Sequence, residues 1–183
     1  LLFFVGRLSI AFKRYNTKHK GIEGVKKVTE KNIIVKGRPA ARLAAVQALY
    51  QLEQEPTTPQ KVLQEFLNHR FNETVDGTRF ITPDKTLFQD IVIGVMDRLA
   101  DLDPMIASTL SEDWRLERME SVVRAILRAA VFELSRDTAV PVPVVINEYV
   151  EIAKAFCAAS EVAFVNASLD ALAKVLRSTD LQE

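Results

Sequence analysis

The 183-residue chain has one cysteine, Cys157, two histidines, His19 and His69, and six glycines, none after Gly94. A single cysteine excludes an internal disulfide and any multi-cysteine zinc or iron–sulfur site. The two histidines lie 50 residues apart without a ligand-spaced partner. Metal catalysis is therefore not expected, and neither is a cofactor. The scarcity of glycine argues against a glycine-rich β fold, and against a phosphate-cradling loop in the second half. No Gly-x-Ser-x-Gly, Walker or Rossmann pattern occurs, so the convergent nucleophile, base and stabiliser of an active site are missing from the sequence. No apolar run reaches the ~20 residues needed to span a bilayer.

What is present is an ordinary globular composition, 48% hydrophobic and 26% charged, sufficient for one domain with its own core. The formal net charge of zero conceals an asymmetry. Residues 1–38 carry ten basic residues against Glu23 and Glu30, a net of +8, and the other 145 residues carry a net of −8. A basic segment on an acidic body suggests a polyanion partner near the N-terminus, with a solvated tail as the alternative. Leu1–Phe12 is apolar, but its charges, Lys13 and Arg14, follow the run rather than precede it, unlike a secretory signal. An acid-poor transit segment or an upstream start site fits it better. Residues 1–37 are expected to form an extension outside the fold, weakly ordered to about Val35, and residues 38–183 the domain.

From Pro39 onward the apolar period is close to 3.6. It predicts helices over Ala40–Gln54, from Pro59 to about Asn72, from Pro83 to about Asp101, a short one from Asp103, then Leu116–Arg136, Val144–Ala158 and Ser160–Leu176. Thr58-Pro59 and Thr82-Pro83 read as caps with proline at the first helical position. Residues 73–82 read as a loop and Trp114 as part of a turn. The expected fold class is all-α, a bundle of about seven helices.

The remaining candidates are basic, aromatic and amide side chains. Arg38 and Arg42 are four residues apart, so both can face one side of the first helix, whose N-terminus adds N–H groups and partial positive charge. With Lys36 they make a phosphate-binding corner or a solubilising first turn. Phe156 and Phe164 flank the last inter-helix turn, either as core or, where exposed, as stacking platforms for unpaired bases. Asn147 and Asn166 are expected to hydrogen-bond across helices, and Glu148 to pair with Arg128 of the fifth helix. Cys157 reads as a structural thiol and His69 as a surface residue.

Several stretches resemble one family, the bacterial transcription antitermination factors of the NusB type. They are Ala40-Ala41-Arg42 with Ala45-Val46-Gln47-Ala48-Leu49-Tyr50, then Ala125–Leu134, Val140–Glu148, Glu151–Phe156 and Phe164-Val165-Asn166. The resemblance covers about Arg38 to Leu176. It implies two packed helical subdomains and a cytoplasmic, non-enzymatic protein. Such a protein binds the boxA element of ribosomal RNA leader transcripts with NusE, a small-subunit ribosomal protein, alongside other Nus factors and RNA polymerase. It further implies RNA contacts from Lys36, Arg38, Arg42, Arg118, Phe156 and Phe164. Tyr50 and Phe164 would belong to the partner face, with a core role for Tyr50 as the alternative. The chain departs from the family pattern at Pro39-Ala40-Ala41, which separates the arginines, and at Cys157 and Ala167, which replace glycines. A self-associating interaction bundle, possible as a homodimer, and an accessory domain of a ribosomal RNA cytosine methyltransferase are the other classes. No methyl-donor domain is present in the sequence.

Overall fold

The computed structural model describes residues 30–72, 74–75, 78–79, 83–110, 115–136 and 140–178; for residues 30–36, 72 and the 74–79 hairpin it describes only the path of the backbone. Trp114, most of the basic extension and the apolar Leu1–Phe12 run lie outside the described residues. Among the described residues seven α-helices form the body: α1 Glu30–Gln54, α2 Pro59–Asn68, α3 Lys85–Asp97, α4 Leu99–Ala107, α5 Ser121–Ser135, α6 Val142–Phe156 and α7 Ala159–Leu176. The all-α expectation holds. The one addition is a two-residue antiparallel hairpin, β1 Thr74–Val75 on β2 Thr78–Arg79, in the segment expected to be a loop.

Local chemistry sets most boundaries. Thr58 caps α2, its hydroxyl accepting from the Lys61 N–H, and Pro59 occupies the first turn where its missing N–H has no cost. The cap of α3 is Asp84, one residue past the expected Thr82-Pro83; its carboxylate accepts from the Leu87 N–H at 3.1 Å. α1 begins ten residues before the expected Ala40, and Pro39 lies inside it. Pro104 likewise sits inside α4 rather than at its start. Leu116–Arg118 is a separate 3₁₀ turn, because Met119 and Glu120 adopt extended ψ values of 152° and 139° before α5 begins. Arg124 closes that break by donating to the Leu116 and Met119 carbonyls at 2.6 and 3.0 Å.

α5 is the shared axis. Eleven of its fifteen residues are buried, as befits a helix packed on α1, α3, α4, α6 and α7. On one side, Phe66 of α2 and Phe88 of α3 stack at 5.3 Å between ring centroids, and Phe71 meets Phe88 edge-on at 4.9 Å. On the other side, Val145, Ile152, Val165 and Leu169 of α6 and α7 close over α5. Of the apolar residues that carry the helical period, Leu43, Val46, Leu49, Val62, Phe66, Ile91 and Val95 are buried, and Leu87, Leu67 and Tyr50 lie at the core edge.

Candidate nucleic-acid interface

The first described basic corner lies two turns into α1, away from the N-terminal N–H groups that the sequence reading placed beside it, and it divides in two. Arg38 is exposed, its side chain 48% accessible, with Nε 4.0 Å from Asp84 Oδ2. The Asp84 N–H donates to the Gly37 carbonyl at 3.0 Å, tying the start of α3 to this turn. Lys36 lies on the same helix, its side chain outside the described set. Arg42 behaves differently. Its side chain is 4% accessible. Nε and Nη2 donate to the two oxygens of Glu133 at 2.8 and 2.9 Å, and Nη1 lies 3.6 Å from Glu148. Tyr149 Oη donates to Glu133 Oε2 at 2.8 Å. The shared-face expectation for Arg38 and Arg42 is corrected: a four-residue step turns the helix by about 40°, and here that turn moves Arg42 from solvent into the seam between α5 and α6.

The electrostatics follow from that burial. Desolvation alone would lower the Arg42 pKa, but the hydrogen bonds and charge of Glu133 outweigh it and hold the guanidinium well above its ordinary value. Burial and then the Glu133 charge push the Tyr149 phenol well up, so it stays a donor. Removing one partner of such a pair costs about 3–5 kcal/mol, because the other charge is left buried and uncompensated.

The expected Glu148–Arg128 pair is likewise corrected. Glu148 faces Arg42, whereas Arg128 forks onto Asp103 of α4 at 2.8 and 2.7 Å and reaches Glu53 of α1 at 3.0 Å. Arg124 also bonds Glu53. Desolvation would raise the Glu53 pKa, but hydrogen bonds to Arg124 and Ser121 and the arginine charges bring it below its ordinary value.

The other end of α1 carries a different surface. Tyr50 is half-buried, and its pKa is raised by burial and then by Glu53 and Glu120. Cys157, in the α6–α7 turn, is pushed up to about 12 by burial, then by Glu161 and Glu120. The Glu120 charge bears on both Tyr50 and Cys157. Phe156 and Phe164 flank that turn as half-buried rings packed on the core. Arg118, two residues before Glu120, is exposed. Arg38 is not part of this group: twelve residues of helix separate it from Tyr50, about 18 Å at 1.5 Å per residue. The sequence candidates therefore form two patches rather than one.

Asn147 and Asn166 do not bond to each other's helices. Both are exposed on the walls of an open groove of about 310 Å³ between α6 and α7, and Asn166 donates to Asp170 of its own helix at 3.3 Å. The functional-end residues that sequence reasoning missed are Glu133, Tyr149 and Glu120. Only Glu133 left a signal, as a lone charge between Phe132 and Leu134 in an otherwise apolar run. Among the described residues, no cluster of three or more His, Cys, Asp or Glu is placed to hold a metal ion.

Comparison with known proteins completes the site's context. The NusB family profile matches residues 39–174. The chain is 48% identical over 143 residues to the transcription antitermination protein NusB of Sinorhizobium medicae, covering 78% of this chain and 89% of that one. It is 46% identical to the protein of that name from Caulobacter vibrioides, covering 78% and 96%. A solved structure of T. maritima NusB superimposes with a TM-score of 0.66 at 30% identity, covering 80% and 97%. A structure of the antitermination factors NusB and NusE in complex with dsRNA has the same fold, with a TM-score of 0.62 at 22% identity, covering 75% and 96%.

Proposed function

The chain belongs to the NusB family, and from that membership we propose that it is a transcription antitermination factor. It binds boxA-type single-stranded RNA of ribosomal RNA leader transcripts together with NusE. The assembly, with other Nus factors, helps RNA polymerase resist premature termination. The observation that carries this reading is the near-full-length identity to relatives named as transcription antitermination proteins. The protein acts in the cytoplasm and performs no catalytic step; among the described residues no helix is long and apolar enough to cross a membrane.

The geometry supports a division of labour. Lys36 and Arg38, about two turns into α1, contact phosphates. Arg118, Phe156 and Phe164, at the opposite end, supply a second charge and partly open rings, and Tyr50 and Phe164 meet NusE. Arg42 takes no part in phosphate contact, since its fork is filled by Glu133. Single-stranded RNA suits such a surface because its bases are splayed out and available for stacking.

A gel-shift with boxA-type RNA across a salt series, with and without NusE, tests this. The expected result is a shift that is strongest with both proteins. Each phosphate contact contributes a log–log salt slope of about −0.7, so Arg38→Ala makes the slope shallower by about 0.7 and leaves helicity unchanged. Absence of a shift in both lanes, with a dimer by sedimentation, would instead establish an interaction-only bundle.

A further inference from the structure

The buried face of α1 carries five alanines, Ala40, Ala41, Ala44, Ala45 and Ala48, all 3% accessible or less, beside only three larger apolar side chains, Leu43, Val46 and Leu49. Small side chains permit close approach but discriminate poorly between helix registers. A slip of one residue moves a helix by 1.5 Å and turns it by about 100°. The Arg42 fork does discriminate, because two parallel bonds to one carboxylate close at a single rotation. The same carboxylate accepts from Tyr149, so α1, α5 and α6 are fixed against one another through Glu133. Buried ion pairs of this kind add little stability over apolar side chains of similar volume, and their best-attested use is to specify register.

We propose that Arg42 is a positioning residue for RNA and partner binding: its fork onto Glu133, which Tyr149 also holds, sets the rotation of α1, and so aims Arg38 at one end and Tyr50 at the other. The proposal rests on the function given above. It extends that reading by assigning a role to a cation that cannot touch the ligand.

The test replaces the lock by apolar side chains, Arg42→Met with Glu133→Leu and Tyr149→Phe, in the full chain. Three readouts are needed: denaturant unfolding, the amide spectrum of ¹⁵N-labelled protein, and RNA affinity with NusE across a salt series. The triple variant should unfold cooperatively with undiminished stability. Its α1 amides should broaden or double while those of α3 and α7 stay sharp. RNA affinity should fall about tenfold, a usual size for positions that touch neither ligand. The salt slope should stay at the wild-type value, because every phosphate contact is retained; Arg38→Ala, by contrast, changes the slope. A folded triple variant with sharp, single α1 signals and wild-type affinity would overturn the proposal. If the triple variant does not fold, Tyr149→Phe decides. It removes one bond to Glu133 and should give the same pattern at smaller amplitude, and no change in either readout refutes the lock. If wild-type protein itself ignores the RNA, the function fails, and the α1 spectrum still judges the lock.

Discussion

Replacing Gly94 by alanine sets two known effects against each other. Gly94 lies inside α3, where alanine is favoured over glycine by about 0.8–1 kcal/mol. A methyl built there, however, stands 2.1 and 2.2 Å from Cζ and Cε2 of Phe132 on α5. Carbon atoms prefer about 3.5–4.0 Å, so the ring edge must retreat by about 1.5 Å. It has little room to do so. Phe132 is 6% accessible, and the Arg136 guanidinium covers it at 5.4 Å from the ring centroid. Overpacking of this type costs about 1–3 kcal/mol, which exceeds the propensity gain. Gly94→Ala should therefore destabilise, by up to about 2 kcal/mol, and lower Tm by about 2–4 °C per kcal/mol. Urea unfolding and thermal melts followed by far-ultraviolet circular dichroism read both. The decisive control is Phe132→Leu, which removes the ring edge; in that background Gly94→Ala should stabilise by up to about 1 kcal/mol. A stabilising effect in the wild-type background, or an equal effect in both, would refute the steric argument.

Arg177 is buried and donates to the carbonyls of Leu134, Val140 and Arg136 at 3.0, 3.0 and 2.7 Å, serving the end of α5 and the chain that follows it. Arg177→Ala should cost at least about 2 kcal/mol in a denaturant melt, since buried carbonyls lose a charged donor, while leaving the salt slope of RNA binding unchanged. Glu53 has a folded pKa below its ordinary 4.5. Its contribution is thus present above that value and lost as pH falls through the folded pKa. Glu53→Gln should flatten the acid limb of a stability–pH profile and lower stability at neutral pH. Cys157 runs the other way: its folded pKa is raised to about 12 from 9.0. The stability it confers is complete below pH 9 and declines as pH rises towards 12, because the unfolded thiol ionises first. Cys157→Ala should remove that alkaline decline, and iodoacetamide should label the native thiol far more slowly than the unfolded one.

Helix number, the core stripes and the Thr58-Pro59 cap were legible because they depend on neighbours in sequence. Pro39 and Pro104 were read as starts, since a proline forfeits one backbone bond; tertiary packing carries both inside helices. The break at Met119-Glu120 was hidden because the apolar period runs through it. Arg42 illustrates the deeper limit. Helical spacing tells which way a side chain leaves its helix, but not what waits there, and its carboxylate lies 91 residues further along the chain. The position of Glu133 inside an apolar run was the available clue that a buried cation had to meet it. Glu148 was assigned to the wrong arginine for the same reason: three arginines of suitable reach, Arg42, Arg124 and Arg128, face acids that only the fold sorts.

That sorting bears on how an acidic body can hold RNA. Arg42, Arg70, Arg124, Arg128 and Arg136 are each forked or paired onto a carboxylate of the protein, and Arg177 is wrapped by carbonyls. Their charge is neutralised within the fold and adds little to the field outside it. Among the described residues the more exposed guanidiniums are Arg38, two turns into α1 and 4.0 Å from Asp84, and Arg115 and Arg118 in the turn before α5. Arg38 lies about 18 Å along α1 from Tyr50, and exposed lysines, Lys61, Lys85 and Lys174 among them, stand on other helices. On the function proposed above, a partner that supplies further contacts compensates for the few open guanidiniums that the described residues offer.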